Sequence, residues 1–345
     1  MNARIKYFDI AKGILILLLL FHHYGSATSR LPGEYPDIFL LRSGQFVFTC
    51  FFMQCFFFLS GYCTSMDKPW KDFLYAQFRQ LLVPIFTFGF LCNLFSMVEH
   101  TGFTSFSLPV LYGAGLWFLW ALLIAKIILF ALGKFCRGNL RIVLFVSFVL
   151  MLLGFALKNY EIGNNVCFIR HGLASCFIIA LGAYAKKHQA LFEKAKDLSS
   201  VLFPWILLLM VITHTDVPVF TAGMDVAMRQ IPAFLIISTL GSLAFLKYTQ
   251  MLEPYLMPFA FYGKGSIVVY GLHFPFLMLL VFHFNSFLSP ESTFEKAVYF
   301  FGVYSCEIAV CALLILLFRL KGLSWLMGRG NKAQKQKSAQ NPATC

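Results

Sequence analysis

Apolar and polar positions along this chain do not alternate at short period. They segregate into long apolar runs, separated by short basic or turn-rich stretches. Crossing a bilayer takes about 20 apolar residues in a helix, which satisfies its own backbone hydrogen bonds where there is no water. Ten runs of that kind can be laid out, at about 8–26, 44–65, 79–97, 113–133, 140–157, 171–185, 199–214, 231–247, 263–284 and 297–319. The seventh is short and holds Pro204. The pattern predicts an all-α polytopic membrane protein.

The basic residues follow the same division. With the amino terminus inside, Arg30, Arg42, Lys158, Arg170, Arg229 and Lys296 fall in outer segments and Lys126 falls within the fourth run. Every other Lys and Arg lies on the cytoplasmic side. Cytoplasmic loops carry such an excess, so the asymmetry predicts an even number of spans with both termini cytoplasmic.

Composition removes the soluble alternatives. The 345 residues are 59% hydrophobic and only 12% charged, with a mean hydropathy of +0.75; ordinary globular domains are about a quarter charged. A net charge of +13 would suit nucleic acid, but the basic residues are scattered over short loops and form no soluble patch. Nucleic acid is therefore not an expected partner. Most of the ten cysteines lie inside apolar runs as small hydrophobes, and no C-x-x-C pair occurs, so neither a metal site nor a disulfide framework is expected. Residues 1–327 read as one transmembrane domain and 328–345 as a disordered basic cytoplasmic tail. The opening segment has some features of a secretion signal: Arg4 and Lys6 precede an apolar run, then Gly25, Ser26 and Ala27. Asp9 and Lys12 interrupt that layout, and the later runs need an inserted first helix, so it reads as a retained span.

The first run, Tyr7 to Tyr24, carries Asp9, Lys12, His22 and His23. Ionisable groups at membrane depth are costly and as a rule face a bundle interior or a wet cavity. At about 100° per residue, Lys12 and His23 come within about 20° of each other, Asp9 falls about 40° from His23, and His22 points about 100° away. Asp9, Lys12 and His23 thus form a stripe on one helical face. Lys12 and His23 are about 16 Å apart along the axis, so a lysine at the inner boundary puts the histidine near the bilayer centre.

The ninth run places Ser266, Tyr270 and His273 on one face. His273 stands about 14 Å in from Lys264, nearly the depth of His23, so two histidines on different helices can line one cavity. A histidine hydrogen-bonded between packed helices is the plainer alternative. In Phe56–Tyr62, Ser60 and Gly61 permit close helix approach. Lys126 and Glu307 read first as an ion pair between the fourth and tenth spans, with a proton relay as rival. His100, His171, His214 and His283 fall at or beyond outer helix ends, where solvent contact is expected. Leu116–Trp120 fits an interfacial aromatic belt. No Gly-rich phosphate loop or His-Glu-x-x-His pattern is present.

Together these pieces resemble the acyltransferase-3 family of membrane O-acyltransferases, of the surface-glycan O-acetyltransferase type. Asp9-Ile-Ala-Lys12, ten residues and then His23 is similar to the family's basic-x10-His motif, with Lys where Arg is commoner. Phe56-Phe-Phe-Leu-Ser-Gly-Tyr62 resembles its second-helix signature. Phe78-Arg-Gln-Leu-Leu-Val-Pro84 resembles the start of its third helix, though with Arg79 as the one basic residue. Leu116-Trp-Phe-Leu119 is similar to the fourth-helix Trp-Phe-Leu, and Ser266, Tyr270 and His273 match a late-helix Ser-x-x-x-Tyr-x-x-His.

The resemblance implies about ten helices around a central pore in the plasma (inner) membrane. It implies transfer of an acyl group, usually acetyl from cytosolic acetyl-CoA, to a hydroxyl of a cell-surface or exported glycan or lipid-linked sugar. The acyl-CoA is a co-substrate, and no permanently bound cofactor is expected. His23 becomes the catalytic base or an acyl-carrying nucleophile, supported by Asp9 and by donors from Ser266, Tyr270 and His273. Lys12, Arg79 and Lys264 fall to the coenzyme phosphates, and Ser60 and Trp117, from the matched pieces, to the donor as well. From the residues alone, a transporter or flippase for a glycan or lipid-linked intermediate is the alternative, with Lys126, Glu307 and the histidines as its path.

Overall fold

The computed structural model describes residues 5–28, 47–98, 116–157, 168–212, 226–287, 292–320 and 323–327. Among these residues every regular element is helical. The helices are α1 (Lys6–Thr28), α2 (Phe52–Tyr62), α3 (Trp70–Gln77), α4 (Val83–Val98), α5 (Trp117–Phe135), α6 (Leu140–Ala156), α7 (Ile169–Lys187), α8 (Gln189–Ile212), α9 (Ile231–Met251), α10 (Glu253–Leu256), α11 (Ala260–Lys264), α12 (Ser266–Phe287) and α13 (Thr293–Leu317). Six segments are long and apolar enough to cross a membrane: Lys6–Tyr24, Trp70–Phe95, Trp117–Phe135, Met228–Met251, Ser266–Phe284 and Phe294–Leu317. Val47–Tyr62 and Leu140–Ala156 are apolar but shorter. The expected tail at 328–345, His100 and His214 lie outside the described residues.

Local chemistry explains where helices bend and turn. A π-helical turn at Phe78–Leu82 joins α3 to α4. Pro84 has no N–H, and its ring crowds the carbonyl four residues back; widening the preceding turn relieves that conflict, and such bulges recur at functional sites. Arg79 sits inside it. Between α5 and α6 the chain reverses through Arg137 and Gly138, with φ of 49° and 75°. Asn139 then caps α6, its Oδ1 accepting from the Arg141 N–H at 3.2 Å.

Two close crossings set the arrangement. Around one, α7 packs on α2, α5 and α6; around the other, α1 packs on α11 and α12, with α13 against α12. In the first, Gly61 of α2 and Gly182 of α7 bring two backbones together, and a methyl on either would overlap the carbonyl of Ile179 or Phe58. In the second, methyls at Gly13 of α1 and Gly263 of α11 would overlap the carbonyls of Phe259 and Asp9. Helices in lipid gain little by covering apolar surface and associate by such close contact. Gly61 thus has the packing role its sequence context suggested.

A polar node holds α8 to α1 and α9. Lys196 is wholly buried, with Nζ 2.9 Å from Glu193 Oε1. It donates to Gln250 Oε1 at 2.7 Å and to the Tyr7 hydroxyl at 3.2 Å. Burial holds its pKa below the ordinary lysine value, against the opposing pull of Glu193. Lys196→Met keeps the apolar stem but strands Gln250 and Tyr7, at about 1–3 kcal/mol per stranded group. Thermal unfolding in detergent, followed by intrinsic fluorescence, is expected to begin about 5 °C lower. An unchanged onset would show that the node adds nothing.

Candidate functional site

The stripe on α1 and the polar face of α12 meet. The His23 and His273 rings lie 5.0 Å apart between centroids, inclined at 45°. Phe274 packs edge-on against His23 at 5.7 Å. His22 turns instead to Phe52 of α2, at 5.8 Å. The tandem histidines thus turn to different helices, His23 to α12 and His22 to α2.

The surroundings of His273 assign its tautomer. It is buried, and its Nδ1 lies 3.0 Å from the carbonyl oxygens of both Val269 and Tyr270. Carbonyls only accept, so Nδ1 carries the hydrogen and Nε2 of the neutral ring presents a lone pair. That Nε2 is buried and has no hydrogen-bond partner among the described residues. Pro275, two residues on, cannot bond the Gly271 carbonyl. Cys92 of α4 does so instead, its Sγ donating at 3.4 Å. The loosened turn beside His273 is thereby tied to a neighbouring helix.

From His273 a path of rings crosses the bundle. Tyr270 is 6.2 Å away, Phe118 of α5 lies 5.4 Å from Tyr270, and Phe57 of α2 lies 4.8 Å from Phe118. The Tyr270 oxygen accepts from the Phe118 N–H at 3.2 Å, which satisfies one of the open donors at the start of α5. Its own O–H remains to donate elsewhere.

The other sequence candidates divide between the two ends of the site. Asp9 is buried with its backbone against Gly263, and Lys12 is half-buried on the next turn. No ion pair joins Lys12 to Asp9, since Lys12 has none with any described residue. Arg79 is half-buried, its guanidinium 5.7 Å from the Tyr75 ring centre. Ser60 is half-buried in the last turn of α2, where its carbonyl accepts from the Thr64 hydroxyl at 2.8 Å. Lys264 ends α11, exposed, and Ser266 opens α12. Trp117 belongs to the His273 end, next to Phe118, with its ring 5.4 Å from His171. A separate pocket lined by Gln54, Ser238, Thr239 and Ser242 contains none of these residues.

Two expectations need correction. Lys126 and Glu307 do not pair: the ionisable side chains acting on Lys126 are Cys63, Lys12 and Lys68, whereas Glu307 acts on Tyr304 and Cys311. Among the described residues their helices turn to different neighbours, α5 packing on α7, the π-helical turn and α6, and α13 on α12 and α1. His171 is not solvated. It is buried at the start of α7, its Nε2 3.0 Å from a guanidinium nitrogen of Arg170, which is also buried. Within Leu116–Trp120, Leu116, Phe118 and Leu119 are core residues, while Trp117 and Trp120 are half-buried. The Arg170–His171–Trp117 cluster went unseen because a charged pair opening a helix reads as a loop; Phe168, with a left-handed φ of 54°, precedes it.

The profile of the acyltransferase-3 family, described as an acyltransferase domain, matches residues 5–317. The chain belongs to the acyltransferase-3 family. No curated protein and no solved structure matches it. With its membrane-capable helices it is a membrane acyltransferase. The acyltransferase-3 pieces on α1, α2, α5 and α12, dispersed over 250 residues of sequence (His23 to His273), meet in the one path from His23 to Phe57.

Proposed function

We propose that this acyltransferase-3 protein moves an acetyl group from cytosolic acetyl-CoA to a hydroxyl of a cell-surface or exported glycan, with His23 as general base. It would span the inner (plasma) membrane ten times with both termini cytosolic, and donor and acceptor would meet in a central pore. The observation that carries this reading is the His23–His273 pair, in which a ring with a buried nitrogen, unpartnered among the described residues, lies 5.0 Å from a second imidazole.

Thioesters need little activation, and the acceptor hydroxyl is the poor partner. His23 takes the hydroxyl proton as the oxygen attacks the thioester carbonyl. The C–S bond breaks, and the departing coenzyme thiolate takes that proton from the imidazolium. Such proton transfer is worth about 10²–10⁴-fold. His273, accepting through Nε2, suits an N–H of His23 and would hold the other His23 nitrogen toward the acceptor. A neutral His273 of this tautomer cannot donate to an oxyanion, so Tyr270 and Ser266 are left as donors there. Attack by the His23 imidazole itself, through an acyl-histidine, uses the same placement.

Lys12, Arg79 and Lys264 would hold the coenzyme phosphates, Lys as a point charge where Arg would be bidentate. Asp9 would balance this charge, and Ser60 and Trp117 would line the donor's path. Purified protein in detergent, given acetyl-CoA and a glycan acceptor, is expected to release free thiol and to raise the acceptor mass by about 42 units; succinyl would add about 100. A transporter would release no thiol. Absence of thiol release with every hydroxyl acceptor and acyl-CoA tried would overturn the reading.

A further inference from the structure

Lys126 is a lone charge within the apolar part of α5, a placement that costs free energy unless the group serves something. Its direction follows from its neighbours on the helix. Phe130, one turn on, stacks on Phe73 at 3.8 Å and 8° between planes, and meets Trp70 edge-on at 4.8 Å. Gly133 lies against the side chain of Met66. Positions 126, 130 and 133 share one face, so Lys126 looks toward the chain that carries Lys68 and leads into the π-helical turn with Arg79.

The ammonium groups acting on Lys126 are those of Lys12 and Lys68, the opposing group is the Cys63 thiol, and no carboxylate acts on Lys126 itself. None of these three lysines forms an ion pair or hydrogen bond with a described residue. Nor is Lys126 needed at the carbonyl end of α2, where Lys186 Nζ donates to the Thr64 carbonyl at 3.5 Å. Three ammonium groups gathered beside fewer carboxylates repel one another unless a further anion lies among them.

We propose that Lys126 and Lys68 complete, with Lys12, the site that holds the phosphates of the acyl-CoA donor. The proposal rests on the functional reading above and gives Lys126 the role that the ion pair with Glu307 does not. A 3′-phosphate and a diphosphate on one coenzyme supply the anionic groups such a cluster takes.

The test compares two donors, acetyl-CoA and S-acetylpantetheine, which has the thioester arm but no phosphate. Lys126→Gln is expected to raise the KM for acetyl-CoA about tenfold, one charge-assisted contact, and to leave that for S-acetylpantetheine unchanged. Lys126→Arg is expected to restore most of the loss. Lys68→Gln, on an exposed loop position that tolerates substitution, is expected to raise the acetyl-CoA KM about threefold. It keeps the proposal testable should Lys126→Gln fail to accumulate. Wild-type KM values in both variants, or a change shared by S-acetylpantetheine, would overturn the phosphate role alone. A wild-type protein that consumes neither donor would overturn the functional reading and this proposal with it.

Discussion

His23→Ala is expected to abolish acyl transfer in a protein that still inserts, accumulates and unfolds like the wild type. The ring contributes contacts to His273 and Phe274 but closes no helix crossing, so its loss leaves the α1–α11 and α1–α12 packing intact. What disappears is the group that takes the acceptor proton, and with it about 10²–10⁴ in rate. His22→Ala supplies the contrast. It removes a ring that rests on Phe52 and not on His273, and activity should stay near that of the wild type. Thiol release per mole of folded protein measures both. Undiminished release in His23→Ala, or equal losses in the two variants, would remove His23 from the mechanism.

Positions along a single helix were legible in the sequence, because rise and angle per residue are fixed. Counting along α1 from Lys12 placed His23, and the wheel separated it from His22. The count from Lys264 to His273 gave a similar depth although it crosses the break between α11 and α12, and the two rings do meet. Which helices stand side by side is a different matter, since an apolar run carries no address. Lys126 and Glu307 looked like partners only because each was a solitary charge of opposite sign in an apolar run. Their helices turn to different neighbours. The Tyr270–Phe118 hydrogen bond links positions 152 apart, and nothing local to either announces it. Small residues were visible as possible contact points, but the carbonyls they meet were not. The His273 tautomer was out of reach for the same reason, since it depends on two carbonyls of its own helix and on which way the ring is turned.

Gly263→Ala is expected to disable the protein through packing rather than chemistry. The added methyl would overlap the Asp9 carbonyl, and the next atoms it meets are the Asp9 carbonyl carbon and the Gly13 amide nitrogen, all backbone. A side chain can swing aside from an intruding methyl, but a helix backbone moves only as a unit, so α1 and α11 must separate. Overpacking costs about 1–3 kcal/mol where side chains yield, and this site belongs at the upper end. An apparent unfolding temperature about 10 °C lower in detergent follows. Activity should fall further than the folded fraction does, because α1 carries Lys12 and His23 while α11 leads directly into the helix of Tyr270 and His273. Gly302→Ala is the control: its methyl would sit 3.6 Å from a Phe284 ring carbon, an ordinary contact, and should be tolerated. If the two alanine variants unfold together and retain equal activity, α1 and α11 do not cross this closely. The alignment of His23 with His273 would then lose its structural basis.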